Sequence, residues 1–566
     1  MSSPVRHVDG TPRVTVKNRI ICQFFFEEVS LQSWKCKKCT RVKKKGGWTN
    51  LVNHIRTCVG VDYHTVYEAA RKKEQQNGGG GIGGFFLRLG IVEREMFDWM
   101  DLIVMENLPL QFVDSPNLRC ITKLKPVSVK TLRKNLFFLA KVMKEKVKAS
   151  LPRKFVIVFD GWSDGTEHYI AVSAAFGRIE KGTGKEVPEQ VMLSMRPLLA
   201  DGIEGMTAVD HVQHIEKALS LYGRTCDNVL CIVGDNCSVN RRMARILKMP
   251  LIGCASHKLN LAAKLWIQNE TELDGIIAKV SLIMKKANTL KLAAKVRALT
   301  SYSCVRENVT RWSSTFQMIS RFLKIQTELI SVVELLPLFP THAEIEVLTR
   351  AHRSLKKFDR VTVMLQKSTM SFIKSREIFD AVLQDFPQLA QYLAADADIV
   401  ESPLFEKSIV RMAKGLSLSN QEREAISGLL MPISDCSATS EAEAVTDSSL
   451  GETAGEDEEE EDYDNILEQR LKHQKTDTED HQTYWNVEMI PGTSVNCERH
   501  FSLAKHILTA TRNQTTPAMF ESLLILKVNR KWWNEQSVAL AMGRIGKDEV
   551  GSDNEDANLE FLDSEW

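Results

Sequence analysis

The chain has 566 residues, a length that predicts roughly three or four domains and at least one sizeable hydrophobic core. Apolar residues make up 43% and charged residues 26%, as in ordinary globular proteins, and no uncharged apolar run approaches the roughly 18 residues of a membrane span. The N-terminal sequence MSSPVRHVDG is too polar for a signal peptide, and the twelve cysteines are too scattered for a disulfide framework. We therefore expect a soluble, intracellular protein without membrane partners.

Charge is distributed unevenly along the chain, although the formal net charge is only +2. Residues 31–60 contain eight lysines and arginines and no acidic residue, whereas residues 441–464 are dominated by Glu and Asp. The near-zero sum therefore conceals a basic N-terminal module and an acidic internal segment.

The first ordered module is predicted over 18–70, after a disordered start at 1–17. Its spacing Cys36-x2-Cys39-x14-His54-x3-Cys58 is typical of a zinc site. A tight turn can direct the first two thiolates at one ion, and His54 and Cys58 share one face of a helix. Four ligands close the coordination sphere, so the Zn²⁺ is expected to be structural; the alternative is a helical hairpin with incidental cysteines.

Basic residues crowd this module beside Trp34 and Trp48, which favours contacts with DNA phosphates. They are Lys35, Lys37, Lys38, Arg41, Lys43, Lys44 and Lys45. A solvated surface or a nuclear-import signal would use the same residues. With two phenylalanines at 25–26 ahead of the cysteines and TNLVNHIRTC after them, the module resembles a BED-type zinc finger.

A glycine-rich linker is expected over 71–84, followed by a helical segment over 85–150. The run NGGGGIGG fits the formal pattern Gly78-x-Gly80-x-x-Gly83, but no strand precedes it, so a hinge is favoured over a nucleotide site. The segment 85–150 alternates apolar and basic residues at helical spacing, which predicts a DNA-binding bridge with one basic face.

The pattern becomes α/β over 151–264. Strands are predicted at 154–159, 168–176, 189–198, 228–234 and 251–257, with helices at 207–222 and 239–248 and a further helix from 258. Three antiparallel strands, a helix and a parallel strand–helix–strand unit are the order of an RNase H-like fold.

The remaining segments divide by composition. Residues 265–435 are predicted to be an all-helical insertion, and 436–480, which include EDEEEED at 456–462, to be disordered. Helices over 481–535 are expected to complete the core, and 547–566 form an acidic tail. The acidic segment would repel DNA or cover the protein's own basic surface.

Three acidic residues are the candidates for a catalytic site. Asp160 and Asp235 each follow an apolar strand, and Glu498 opens a helix; Asp160-Gly161-Trp162-Ser163 is expected to form a tight turn. In an RNase H-like sheet the first and fourth strands are neighbours, which would bring the two aspartates together. Such carboxylates prefer Mg²⁺ or Mn²⁺, and a pair of these ions can cleave a phosphodiester. The alternative for each aspartate is a helix cap or turn.

Several motifs together resemble the hAT superfamily of DNA transposases. They are FDGWSD (159–164), VGDNCSVN (233–240), GCASHKLN (253–260), TRWSST (310–315) and the stretch from SVNCERHFSLAKHI at 494–507 through the pair of tryptophans at 532–533. The resemblance implies an RNase H-like core with a helical insertion and a DDE triad of Asp160, Asp235 and Glu498. It covers roughly residues 25–60 and 150–535.

The same resemblance implies roles for single residues. Cys254 and His257 match a C-x-x-H element in which the histidine helps to position the scissile phosphate. Trp312 matches a tryptophan that stacks on a displaced base, and Arg311 beside it could meet a phosphate. Without the resemblance, a capping or core histidine and a core tryptophan are the favoured alternatives.

The C-terminal helices match the dimerization region of the family, which implies a homo-oligomer. Their apolar residues suit an intramolecular core equally well. They are Phe501, Leu503, Ile507, Phe520, Leu523, Leu524, Leu526, Trp532 and Trp533.

The sequence thus predicts a nuclear, metal-dependent DNA transposase that binds double-stranded DNA through its zinc finger. Two alternatives stay open. A domesticated, non-catalytic and dimerizing DNA-binding regulator would keep the finger and the C-terminal helices. An α/β scaffold with incidental acidic residues would need neither metal ions nor DNA.

Overall fold

The computed structural model describes residues 22, 25–30, 33–36, 39, 41–44, 48–58, 91–180, 183–199, 205–308, 311–431, 463, 466–467, 484–508 and 516–548. Two compact units, 1–94 and 95–566, divide the chain and are described separately. The predictions for 1–17, 71–84, most of 436–480 and nearly all of 547–566 lie outside the described residues.

The first unit is a small antiparallel sheet with one helix. Strands β1 (Phe26–Ser30), β2 (Ser33–Cys36) and β3 (Val42–Lys44) pair in that order, and helix α1 spans Trp48–Cys58. Its core contains Phe25, Phe26, Trp34, Leu51 and Ile55. Both phenylalanines and Trp34 are buried, so these aromatic residues belong to the core of the module and not to its surface.

A five-stranded mixed sheet is the centre of the second unit, so the protein is mixed α/β as predicted. The strands are β4 (Phe155–Asp164), β5 (Glu167–Ile179), β6 (Glu186–Pro197), β7 (Val229–Gly234) and β8 (Leu251–Gly253). Their order is β6-β5-β4-β7-β8, antiparallel from β6 to β4 and parallel from β4 to β8. β4 is central, and its residues 155–159 are buried, because both faces of the sheet are covered.

The expected tight turn after Asp160 is wrong. β4 continues to Asp164, and the pairing with β5 runs without interruption from Asp160↔Ala171 to Asp164↔Glu167. The chain reverses instead at Gly165, whose φ of 59° is a left-handed conformation that glycine adopts readily. The parallel pairing of β4 with β7 ends at Val158, whereas Asp160 still pairs with Ala171 of β5 on the other side.

Helices cover both ends and faces of this sheet. Those before and between the strands are α2 (Ile91–Met105), α3 (Pro116–Thr122), α4 (Val129–Ser150), α5 (Ala208–Ser220) and α6 (Ser238–Leu247). Within the segment 85–150, which the sequence predicts to be helical, α-helices span 91–105, 116–122 and 129–150, with loops and a short 3-10 helix between them. The basic face expected there is only partly exposed, because Lys144 forms an ion pair with Glu521, a residue with no exposed surface.

Between β8 and residue 431 the described chain consists of helices joined by loops, without a further strand of the sheet. Its helices are α7 (Ala255–Asn269), α8 (Leu273–Ala287), α9 (Leu290–Leu299), α10 (Trp312–Leu329), α11 (His342–Leu365), α12 (Phe372–Asp385), α13 (Ala390–Leu393), α14 (Pro403–Ala413) and α15 (Asn420–Ala425). Most of them enclose a second hydrophobic core, separate from that of the sheet. Phe405, Ile409 and Ile426, in contrast, pack into the core of the sheet.

Three C-terminal helices return to the sheet: α16 (Val495–Ile507), α17 (Pro517–Val528) and α18 (Glu535–Asp548). Buried polar groups fix α17 against β6. Glu521 accepts hydrogen bonds from Ser194 Oγ at 2.7 Å and from Arg196 Nε at 3.0 Å. Burial opposes ionisation of Glu521, but Lys144 and Arg196 hold its pKa below the usual value, so the carboxylate stays charged.

No helix in the described ranges is both long and apolar enough to cross a membrane.

Candidate functional site

The four predicted zinc ligands converge in the first unit. Cys36 ends β2, Cys39 lies in the following turn, and His54 and Cys58 lie one turn apart on α1. Cys36 Sγ is 3.9 Å from Cys58 Sγ, and Cys39 Sγ is 3.3 Å from His54 Nε2. Tetrahedral Zn²⁺ requires about 3.8 Å between sulfurs and about 3.6 Å between sulfur and nitrogen. The cluster therefore has the donor set and spacing to hold a structural ion.

Burial, with Lys43 and Arg41 nearby, lowers the pKa of His54, which favours the neutral imidazole that a metal requires. On the surface around the cluster, Lys35, Arg41 and Lys43 are exposed, as a phosphate-binding role would need. Lys37, Lys38 and Lys45 lie outside the described residues, as do the side chains of Lys44 and Trp48.

The two candidate aspartates lie at the same level of the central sheet. β4 pairs with β7 in parallel, and the last register pair is Val158↔Val233. Asp160 and Asp235 each follow that pair by two residues, so they leave neighbouring strands on the same face. Adjacent strands are only about 4.8 Å apart, which brings the two carboxylates close together.

A glycine permits this arrangement. Gly234 precedes Asp235 as Phe159 precedes Asp160, and a Cβ on Gly234 would lie 2.8 Å from the Phe159 ring. A larger residue there would displace the ring or the strand that carries Asp235.

Asp235 also performs the local role that its position after a strand suggests. Its Oδ1 accepts hydrogen bonds from Cys237 N at 3.2 Å and Asn240 Nδ2 at 2.5 Å, which fixes the start of α6. The N-cap of α6 is Cys237, whose thiol is a further hydrogen-bond partner of the Asp235 carboxylate. Asp235 therefore fills the turn alternative, while its carboxylate still acts electrostatically on Asp160.

Glu498 is joined to Asp160 through Ser494. Ser494 Oγ donates to Asp160 Oδ2 at 3.4 Å, and Ser494 N donates to Cys254 Sγ at 3.3 Å. Because Ser494 is the residue before α16, this hydrogen bond anchors the start of the helix to Asp160. Glu498 follows Ser494 by about one helical turn. The structure thus brings all three predicted carboxylates, which are distant in sequence, into one neighbourhood.

Mutual repulsion is evident at Asp160. Its pKa is raised to about 7, mainly by burial, then by the carboxylate of Asp235 and to a smaller extent by Glu498. In the described residues, the zinc-module cluster is the only group of three or more potential ligands whose atoms all lie within 4.8 Å of one another. The three carboxylates therefore interact electrostatically but are spaced more widely than that cluster.

Arg311 forms an ion pair with one of these carboxylates, that of Glu498. Its Nη2 donates to Glu498 Oε2 at 2.8 Å, and the arginine side chain is 64% exposed. The sequence interpretation assigned Arg311 to a phosphate, whereas in this conformation it neutralises a candidate metal ligand.

An open cleft of about 350 Å³ adjoins Glu498 and Arg311. Arg499 and Lys505 add positive charge to its wall, and Trp162 adds an aromatic surface. Trp162 follows Asp160 by two residues on β4, so both side chains share one face of the sheet. The half-buried indole stacks on Phe501, with ring centroids 5.9 Å apart and an interplanar angle of 17°.

The other two residues assigned by resemblance are placed differently. Trp312 is only 4% exposed and packs edge-on against Phe358 in the helical core, which is the core alternative. His257 is half-buried in the first turn of α7, and its imidazole forms no hydrogen bond with the described residues. Its motif partner Cys254 reaches the carboxylates through Ser494.

Most apolar residues assigned to dimerization lie inside this chain's own core. Phe520, Leu524, Leu526 and Trp533 are at most 2% exposed. Helix α17 is apolar on every side, so it is enclosed rather than offering one stripe to a second copy. These residues therefore form an intramolecular core, the alternative to a dimer interface.

Sequence reasoning missed Trp162, Ser494, Asn240 and Arg499. Trp162 could have been found, because alternation along a strand that continues past Asp160 puts the two on one face. Ser494 and Asn240 act through hydrogen bonds that carry no sequence signal.

Comparison of the sequence with models of known protein families gave no match, and neither did comparison with curated protein sequences.

Proposed function

We propose that the protein is a metal-dependent enzyme that cuts and joins DNA, resembling a hAT transposase. The observation that carries the proposal is the approach of Asp160, Asp235 and Glu498 at the edge of a central sheet, beside a basic, aromatic-lined cleft. Clustered carboxylate oxygens are typical ligands of hard divalent cations.

The topology supports an RNase H-like core. The strand order β6-β5-β4-β7-β8, antiparallel then parallel, is the order expected from the sequence for that fold. The chain leaves the sheet after β8, passes through the helices from α7 to α15, and returns with α16 carrying Glu498. A helical insertion between the second and third carboxylates accounts for their long separation in sequence.

Asp160, Asp235 and Glu498 would hold Mg²⁺ or Mn²⁺ through their carboxylate oxygens. When bound, such ions supply activation of water or a DNA 3′-hydroxyl and neutralise charge at the phosphate. Arg311, Arg499 and Lys505 would orient the DNA backbone in the cleft, and Trp162 would stack on an exposed base.

The exposed Lys35, Arg41 and Lys43 would let the zinc module contact phosphates of double-stranded DNA. A protein that acts on chromosomal DNA would work in the nucleus.

DNA cleavage tests the proposal. The full-length protein with Mn²⁺ or Mg²⁺ should nick duplexes from the ends of the element that encodes it, taken from either side of the coding sequence. Asp160→Asn should lower the rate at least about a hundredfold, since it removes a metal ligand, without weakening DNA binding. Asp164→Asn, on the same strand and face, is the matched control and should cut normally.

Two observations favour the non-catalytic regulator instead. Arg311 neutralises Glu498, and the three carboxylates are spaced more widely than the zinc ligands. If wild type and Asp160→Asn both bind DNA and neither cuts, the regulator is correct and the nuclease proposal fails.

A further inference from the structure

Helix α11 carries a row of basic side chains along one exposed face. Arg350, Arg353, Lys357 and Arg360 recur every three or four residues and are all exposed, and the exposed Lys367 follows two turns later, just beyond the helix. Side chains at this spacing lie one above another on a helix. We name these five residues the α11 basic face.

The opposite side of α11 is firmly anchored, which makes the basic face a rigid surface. Leu348, Leu355, Phe358 and Val361 have no exposed area and belong to the helical core. Asp359, the single acidic residue between Val347 and Ser371, is half-buried. Arg350, Arg353 and Lys367 form no ion pair with the described residues. Glu346, one turn before Arg350, is exposed, and Asp359 interacts with Arg360, but the row from Arg350 to Lys367 is predominantly basic.

The face ends at the cleft of the candidate site. Gln366, directly after α11, lines that cleft, and its carbonyl accepts a hydrogen bond from Arg499 Nη2 at 2.5 Å. Arg499 neighbours Glu498 in α16. Arg311, Arg499 and Lys505 line the cleft that Gln366 borders, so basic residues lie at the end of the helix as well as along it.

We infer that the α11 basic face binds the phosphate backbone of double-stranded DNA and leads it to the carboxylates. The partner class rests on the proposed function. From Arg350 to Gln366 a helix rises about 24 Å, the length of about seven phosphates along one strand of B-DNA. A rigid row of this length fits a regular polyanion, and backbone contacts of this kind position DNA without reading its sequence.

Salt-dependent binding tests the inference on the full-length, zinc-loaded protein. A triple variant, Arg350→Gln, Arg353→Gln and Lys367→Gln, leaves Lys357 in place because that side chain also packs on the rings of Phe386 and Tyr463. The matched control, Lys185→Gln, Lys291→Gln and Arg297→Gln, removes three exposed basic residues of the same unit from elsewhere. Fluorescence anisotropy with a 30-base-pair duplex of mixed sequence is measured between about 50 and 200 mM salt.

The triple variant should bind roughly tenfold more weakly, and the slope of log affinity against log salt should fall by about 2.7, or 0.9 per lost phosphate contact. The control should match wild type. Equal affinity and slope in both variants overturn the inference; that result is also expected if the face serves the acidic run 456–462, which precedes Tyr463 in the chain. Should the triple variant not fold, Arg353→Gln alone carries the test, with a slope change of about 0.9.

Cleavage is not read in this experiment, so the two proposals fail separately. If the triple variant binds DNA more weakly and wild type never cuts DNA, this inference stands and the nuclease proposal fails. If wild type cuts DNA and the triple variant binds as tightly as wild type, the nuclease proposal stands and this inference fails.

Discussion

Individual side chains decide which predicted roles are physically available. Asp235 fixes the turn before α6 and still acts on Asp160, whereas Trp312 is enclosed by the helical core. Arg311 is exposed but forms an ion pair with Glu498. Function at this scale depends on which atoms a packed structure leaves accessible, and residue type alone does not determine that.

Arg311→Gln should increase the affinity of the carboxylates for Mn²⁺ several-fold, because the guanidinium that competes with the cation for Glu498 is removed. The effect is modest since an exposed ion pair contributes about 0.2–1 kcal/mol. Mn²⁺ titration followed by electron paramagnetic resonance measures it, with the exposed Arg306→Gln as control. Unchanged affinity would mean that Arg311 does not compete with the cation.

Trp312→Ala should lower the free energy of unfolding by about 3–5 kcal/mol, the usual cost of removing a large core aromatic. Trp162→Ala should cost less, because its indole is half-exposed, but should weaken DNA cleavage. Chemical denaturation and the nicking assay measure the two effects. A stable Trp312→Ala protein with impaired DNA binding would restore the base-stacking role.

Elements position the site through contacts that join distant segments. Helix α16 starts against Asp160 through Ser494, and α17 is fixed to β6 by the buried Glu521. Helix α5 packs on the same unit with His214 buried. The C-terminal helices therefore help to hold the sheet that carries Asp160 and Asp235.

Stability should decline as the pH falls from 6.5 towards 4, in part because of His214. Burial lowers the pKa of His214 to about 4, so in this range the unfolded chain takes up a proton that the folded protein excludes. The loss is at most about 3 kcal/mol, from 1.36 kcal/mol per pKa unit. His214→Gln should flatten the dependence seen in urea unfolding, while the exposed His342→Gln should not; equal curves for both variants would contradict it.

Sequence pattern predicted the elements of the sheet better than their ends. Apolar runs identified all five strands in order, but Gly161 suggested a turn where β5 instead keeps β4 extended through Asp164. The strand continues because its partner supplies hydrogen bonds, which is information from outside the local sequence. The Arg311–Glu498 pair, 187 residues apart, could not be predicted from either segment alone.

The whole molecule combines a small unit with a potential metal cluster and a large unit with two hydrophobic cores. In the described part of the first unit, the core contains eight buried side chains. A core of that size seldom stabilises a fold without a metal or disulfide, so zinc binding and folding are expected to be coupled there.

Chelation of zinc should unfold the first unit and leave the second intact. Native mass spectrometry should find one zinc ion per chain, and Cys58→Ser should lose it. The exposed Cys120→Ser is the control. Folded first-unit resonances in a metal-free NMR spectrum would contradict the coupling.

Mn²⁺ binding to the carboxylates tests the central claim most directly. Electron paramagnetic resonance of the zinc-loaded protein should detect bound Mn²⁺ in wild type, and Asp160→Asn, Asp235→Asn and Glu498→Gln should each abolish it, whereas Asp164→Asn should retain it. No bound Mn²⁺ in wild type, or equal binding in all variants, would show that these three residues do not form one cation site.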